Sequence, residues 1–199
     1  WEKCINSFRV EFDCDIYITG SNAKLLSGEL ATNLGGRYVE FTIYPFSFSE
    51  FTELYKEIFP GAQPQECFQK YLLFGGMPYL ANLRYAEEPC RQYLTDVFNS
   101  VQLKDIVKRN KIRDVDLLER ILSYIIANVG TTFSATSISK FFKSEKRNVA
   151  PETILNYIRH CTDAYLFYPV KRQDLQGKQI LASSEKYYIA DHGVREAVF

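Results

Sequence analysis

The apolar positions of this chain change rhythm twice. Trp1, Ile5, Phe8 and Phe12 recur at helical spacing and predict an amphipathic helix. Asp15 to Thr19 is short, β-branched and aromatic, and stops at Gly20, which predicts a buried strand. Asn22 can cap a following helix with Leu26, Leu30 and Leu34 on one face and Gly35-Gly36 as its exit. Tyr38 to Tyr44 then alternates, with Val39, Phe41 and Ile43 on one side, until Pro45 ends it. Strand, helix and strand in this length predict a βαβ unit and parallel pairing. Two strands cannot cover both faces of a sheet, so residues 1–46 read as the edge of a larger one.

From Ser47 the period is helical. Ser47 and Glu50 have capping-box spacing, Phe51, Leu54, Tyr55 and Ile58 follow, and Pro60-Gly61 stops the helix. A second helix spans Gln65 to Phe74 and breaks at Gly75-Gly76-Met77-Pro78. A longer one runs from Pro89 to Arg109, with Leu94, Val97, Phe98 and Val101 inward. Residues 47–112 form a helical lid subdomain on this reading.

The last part, 113–199, has a third pattern. A helix from Leu117 to Val129 is followed by one that Ser134 caps, running through Phe142. Pro151 then opens a third, with Ile154, Leu155, Ile158 and Cys161 inward. Strands Leu166 to Gln173 and Gln179 to Ile189 flank a hairpin tip at Gln176-Gly177. Three helices followed by a hairpin is the order of a winged helix. The fold class expected is therefore an α/β fragment, the end of a parallel sheet, followed by a helical lid and a winged-helix domain, helix-rich overall.

Composition narrows the function classes. Hydrophobic residues at 46% and aromatics at 15% require a packed core. The net charge is +0, yet unevenly placed: five basic against nine acidic residues through Pro60, sixteen against eleven from Val101 onward. A nucleic-acid surface would therefore lie in the second half. Five cysteines without a C-x-x-C or a Cys/His cluster support neither a disulfide framework nor a zinc site, so reduced thiols in a cytoplasmic protein are expected, with no metal site. No apolar run approaches the roughly twenty residues that span a bilayer, and no membrane partner is expected. A start at Trp1 and a lone methionine, Met77, suggest a piece of a longer protein.

Ile18-Thr19-Gly20-Ser21-Asn22-Ala23, Gly36-Arg37, Tyr44-Pro45-Phe46-Ser47-Phe48-Ser49-Glu50-Phe51, Phe74-Gly75-Gly76-Met77-Pro78, Lys104-Asp105-Ile106 and Lys186-Tyr187-Tyr188-Ile189-Ala190-Asp191-His192-Gly193 succeed one another in order. In this the chain resembles the prokaryotic AAA-type ATPases in which a P-loop domain precedes a winged helix and a nuclease-like domain. The chain contains no G-x-x-x-x-G-K-[ST] loop and no apolar run ending in Asp-Glu. The resemblance places both upstream, and the nuclease-like carboxylates downstream. It implies ATP and magnesium as ligands of the complete protein, with neither held tightly by this part, which alone would be inactive.

The resemblance also implies roles. Ser21 and Asn22 occupy a sensor position, where an amide can hydrogen-bond the attacking water or the γ-phosphate; the alternative for Asn22 is a plain helix cap. Arg37 corresponds to the arginine that stabilises charge on the transferring phosphoryl group, in cis or on a neighbouring subunit; the alternative is a solvated loop arginine. For DNA contact the candidates are Arg147, Asn156, Arg159, Lys171, Arg172 and Lys178, on or beside the third helix and on the wing. DNA, a protein partner and a homo-oligomer all remain open, and a non-enzymatic DNA-binding or regulatory module is the rival to the ATPase reading. Lys104, Asp105 and Arg109 form a charged patch, read as solvated ion pairs or a partner contact. Asp191 reads as a helix cap before Gly193.

Overall fold

The computed structural model describes residues 2–23, 38–173 and 180–198. An N-terminal helix α1, Glu2–Glu11, stands where Ile5, Phe8 and Phe12 predicted it. The predicted strands do not form as such: residues 12–20 and 38–47 carry no regular secondary structure. Among the described residues no parallel pair exists, so the expected sheet edge is corrected to two unpaired stretches. The physical reason is that a strand is a ladder, and neither stretch has a strand beside it to bond. The whole stretch 38–44 is exposed, its apolar residues included: Val39 is 76%, Phe41 78% and Ile43 87% exposed. The helix expected between them, from Leu26 to Leu34, and its exit at Gly35-Gly36 lie outside the described residues.

Helix α2, Phe48–Ile58, begins as the capping box dictates. The Glu50 amide donates to Ser47 Oγ at 3.4 Å, and the Ser47 amide donates to Glu50 Oε2 at 2.8 Å. Its inward residues Phe51 and Tyr55 enter an aromatic cluster, with Phe51 at 5.2 Å from both Tyr71 and Tyr85 between ring centres. Helix α3, Pro64–Phe74, starts on its proline and ends at Gly75, whose φ of +73° is one that other residues rarely adopt.

Helix α4, Glu87–Ser100, does not continue regularly to Arg109. It passes into a π-helix over Val101–Lys108. Cys90, Leu94, Phe98, Gln102 and Ile106 are all buried, every fourth residue. A 3.6-residue turn rotates such a series by about 40° per step away from its face. The wider i→i+5 turn rotates it back, which keeps Gln102 and Ile106 inward.

A short 3-10 helix, Pro78–Ala81, links α3 to α4, and the remaining elements are α5 (Val115–Ala127), β1 (Thr132–Phe133), α6 (Ala135–Ser144), α7 (Pro151–Asp163), β2 (Phe167–Gln173), β3 (Ile180–Ile189) and α8 (His192–Val198). Asp114 caps α5 through the Leu117 amide at 2.9 Å, and Ser134 caps α6 through the Ser137 amide at 3.1 Å. The sheet is antiparallel with strand order β1-β3-β2; Phe167 pairs with Ile189 and Val170 with Lys186, before an irregularity leads to Arg172 paired with Leu181. The predicted hairpin tip at Gln176-Gly177 lies outside the described residues. Leu118, Ile121 and Ile125 of α5 pack with Ile138, Phe142, Ile154 and Phe167 in a core that also takes in Phe51, Leu80 and Leu94. Helix α8 returns to pack on α3 and α4.

All five cysteines are free; Cys67, Cys90 and Cys161 are buried, Cys4 and Cys14 exposed. Burial pushes the Cys161 thiol up to about 12, with the Asp163 charge adding to it, and burial also raises Cys90. A thiol that stays protonated does not attack. In the native protein at pH 8, a thiol-disulfide reagent should therefore titrate two cysteines quickly and three only after denaturant is added. Five fast thiols would contradict this core.

Candidate functional site

Of the sensor residues, Asn22 is 1% exposed and Ser21 exposed, in the turn that leads to Ala23. Arg37 lies outside the described residues, so the structure neither joins it to Asn22 nor separates the two. What the structure does bring together are three of the sequence motifs, far apart in the chain. Asp191, 3% exposed, accepts the Gly76 amide on Oδ2 at 2.7 Å and the Val194 amide on Oδ1 at 3.1 Å. The second bond is the cap read from sequence; the first ties α8 to the Gly75-Gly76 turn. The Phe46 amide donates to the Gly76 carbonyl at 2.8 Å, and the Tyr71 hydroxyl donates to the Phe46 carbonyl at 3.0 Å. His192 Nε2 meets the Tyr71 carbonyl, its ring set edge-on to that of Tyr71 at 4.6 Å.

Close backbone approach is what the glycines supply here. A Cβ on Gly75 would lie 2.1 Å from Asp191 Oδ1, on Gly76 2.2 Å from the Phe46 carbonyl oxygen, and on Gly193 2.0 Å from the Phe74 carbonyl oxygen. Sequence reasoning placed these residues in motifs but missed their joint. The available signal was a glycine pair at a helix end that needs only one.

This joint holds the segment that follows the unpaired residues 38–44. One residue before Pro45, the Tyr44 ring packs on Tyr168 of β2 at 5.6 Å. Chemically the joint is a fastening: its polar atoms are bonded to one another, and a shallow cleft lined by Phe74, Glu87, Arg91, Gly193 and Glu196 adjoins it. Among the described residues no group of three or more His, Cys, Asp or Glu side chains is placed to hold a metal ion. A separate surface cleft, lined by Phe98, Gln102, Glu119, Leu122, Ser123 and Val198, contains none of the nucleotide or DNA site residues expected from sequence.

The DNA candidates do not share one environment. Asn156 and Arg159 are exposed on α7, and Lys171 is exposed on β2. Arg147 is half-buried and engaged by Asp116, which also takes Arg120 Nε at 3.2 Å. The hydrogen bond from Arg120, with a lesser contribution from Arg147, holds the Asp116 carboxyl below the usual carboxylate range against the opposing effect of desolvation. Arg172 is in β2, paired with Leu181, and Lys178 lies outside the described residues. Of the earlier charged patch, Asp105 and Arg109 form an ion pair at 3.6 Å.

Residues 65–199 match a domain family of unknown function, DUF8612, and residues 1–52 match an AAA domain family. An uncharacterized protein of Haemophilus influenzae is 39% identical over 98% of this chain and 48% of its own length. An uncharacterized protein of Methanocaldococcus jannaschii is 27% identical over 96% of this chain and 44% of its own length. The chain thus spans about half the length of the curated relatives it matches. No solved structure matches it. Among the described residues no helix is long and apolar enough to cross a membrane.

Proposed function

This chain belongs to the DUF8612 family of domains of unknown function, and we propose that it is the C-terminal portion of an ATP-binding AAA-type ATPase. The observation that carries this is the AAA match over residues 1–52, which ends inside the capped helix α2. The exposed apolar side chains of Val39, Phe41 and Ile43, on a stretch with no strand beside it, support it, because such a surface is what a neighbouring part of a longer protein would cover. ATP and magnesium are then ligands of the complete protein. Their grip is not in this sequence, which has no P-loop, so no step is assigned to them here. This chain's own share is Ser21 and Asn22 as sensor and Arg37 as the group that meets charge on the terminal phosphate.

Residues 113–199 are a winged helix on this reading. Its support is the order α5, β1, α6, α7, β2, β3 with the sheet arranged β1-β3-β2. Its role is contact with DNA or protein. The fastening at Gly76 and Asp191, with Tyr44 on Tyr168, gives a short mechanical route from the end of the AAA segment to that unit. The test is turnover. The complete protein should hydrolyse ATP with magnesium, and purified residues 1–199 should not. Hydrolysis by residues 1–199 alone, or none by the complete protein, would overturn the reading in favour of a different site or a non-enzymatic module.

A further inference from the structure

We propose that a basic belt where the helical lid meets the C-terminal unit, Lys104, Lys108 and Lys111 of the former with Arg113, Lys143 and Lys146 of the latter, binds the phosphate backbone of nucleic acid. The inference deepens the contact role given above to residues 113–199, and rests on it. All six side chains are exposed. Lys104 and Lys108 lie four residues apart in the π-helix, and Lys111, with a φ of +53°, lies in the turn that follows it.

What makes the belt net positive is the fate of the acids around it. Asp105 is paired with Arg109 at 3.6 Å and Asp116 with Arg120 and Arg147, while Asp114, bonded to the Leu117 amide, keeps its charge. Glu145 lies 4.0 Å from Arg120. Among the described residues, none of the six belt cations has an ion-pair partner. The Asp116–Arg147 pair also decides the geometry. It fastens the turn after α6, which carries Lys146 and follows Lys143 of the last helical turn, to the first turn of α5, three residues beyond Arg113. The two basic runs therefore meet at one end of the unit. The Tyr157 hydroxyl of α7, raised chiefly by burial, also feels Asp114, which puts α7 at that same end.

Lysine is the residue type depleted from protein–protein interfaces, where aromatics and arginine dominate. A lysine-rich run suits instead sequence-independent contact with phosphates and the release of their counterions. On this view Arg147 is a brace for the belt, and Asn156 and Arg159 are left for base edges.

The experiment measures anisotropy of a labelled 20-base-pair duplex of mixed sequence with the complete protein, across about 50 to 200 mM salt. The variants are Lys104→Gln/Lys108→Gln/Lys111→Gln and Asn156→Ala/Arg159→Ala, each with a thermal melt as a folding control. The triple variant should flatten the slope of log K against log salt by about 3, at 0.9 per phosphate contact, and the pair by no more than about 1. An unchanged slope in a folded triple variant, with binding lost in the pair, would overturn the belt while the contact role stands. No duplex binding by the wild type at low salt would remove both. Equal affinity for poly-glutamate at the same salt would replace nucleic acid with an acidic protein. Should the triple variant melt early, Lys143→Gln/Lys146→Gln provides the second reading, with a slope change of about 2 expected and none overturning the belt.

Discussion

Replacing Gly193 with alanine should cost the fold more than about 3 kcal/mol, and Gly76→Ala a similar amount. Each added methyl would meet a carbonyl oxygen at 2.0 to 2.2 Å, and both oxygens belong to backbone that other bonds already hold. Phe74 ends α3 beside the Gly75 cap, and Phe46 is fixed by both the Gly76 carbonyl and the Tyr71 hydroxyl. Relief at Gly193 would have to pull α8 off the turn, breaking the Asp191 bond to the Gly76 amide, and relief at Gly76 would push Phe46 away from its bonds to the Gly76 carbonyl and the Tyr71 hydroxyl. Gly61 is the internal control. Nothing lies within 4 Å of its would-be Cβ, so Gly61→Ala should lose only the backbone term of about 1–2 kcal/mol that its φ of +100° imposes. Urea unfolding of the three variants gives the comparison. Losses at Gly193 and Gly76 no greater than at Gly61 would mean that the joint is not packed as described.

Arg37→Ala, made in the complete protein, should lower the rate of ATP hydrolysis on the order of 10³-fold while leaving ATP affinity nearly unchanged. An arginine that meets charge only as the phosphoryl group transfers contributes to the transition state and not to ground-state binding. The expected signature is thus a fall in kcat without a matching rise in the dissociation constant. Arg37→Lys should recover little, because a point charge does not reproduce the planar fork. A variant with wild-type turnover would return Arg37 to the solvent.

Local instructions were legible in the sequence, and distant ones were not. Ser47 with Glu50, Ser134, Pro151 and Gly75 each set a helix end through groups a few residues away, and the helices begin and stop there within two residues. The π-helix was missed because a 3.6-residue template hides a buried series at intervals of four, from Cys90 to Ile106. Alternation from Val39 to Ile43 predicted a strand that the structure does not contain, because pairing depends on a neighbour that the pattern does not specify. The bond from Asp191 to Gly76 crosses 115 residues. Arg147 looked free for DNA only because nothing near it in sequence reveals that Asp116 reaches it.

The central claim is that Asn22 and Arg37 act together on one phosphoryl group. A double-mutant cycle on kcat in the complete protein, with Asn22→Ala, Arg37→Ala and both, measures that directly. The account predicts strong non-additivity, the double variant turning over about as slowly as Arg37→Ala alone. Additive losses, with the double variant slower by the product of the two single effects, would contradict it.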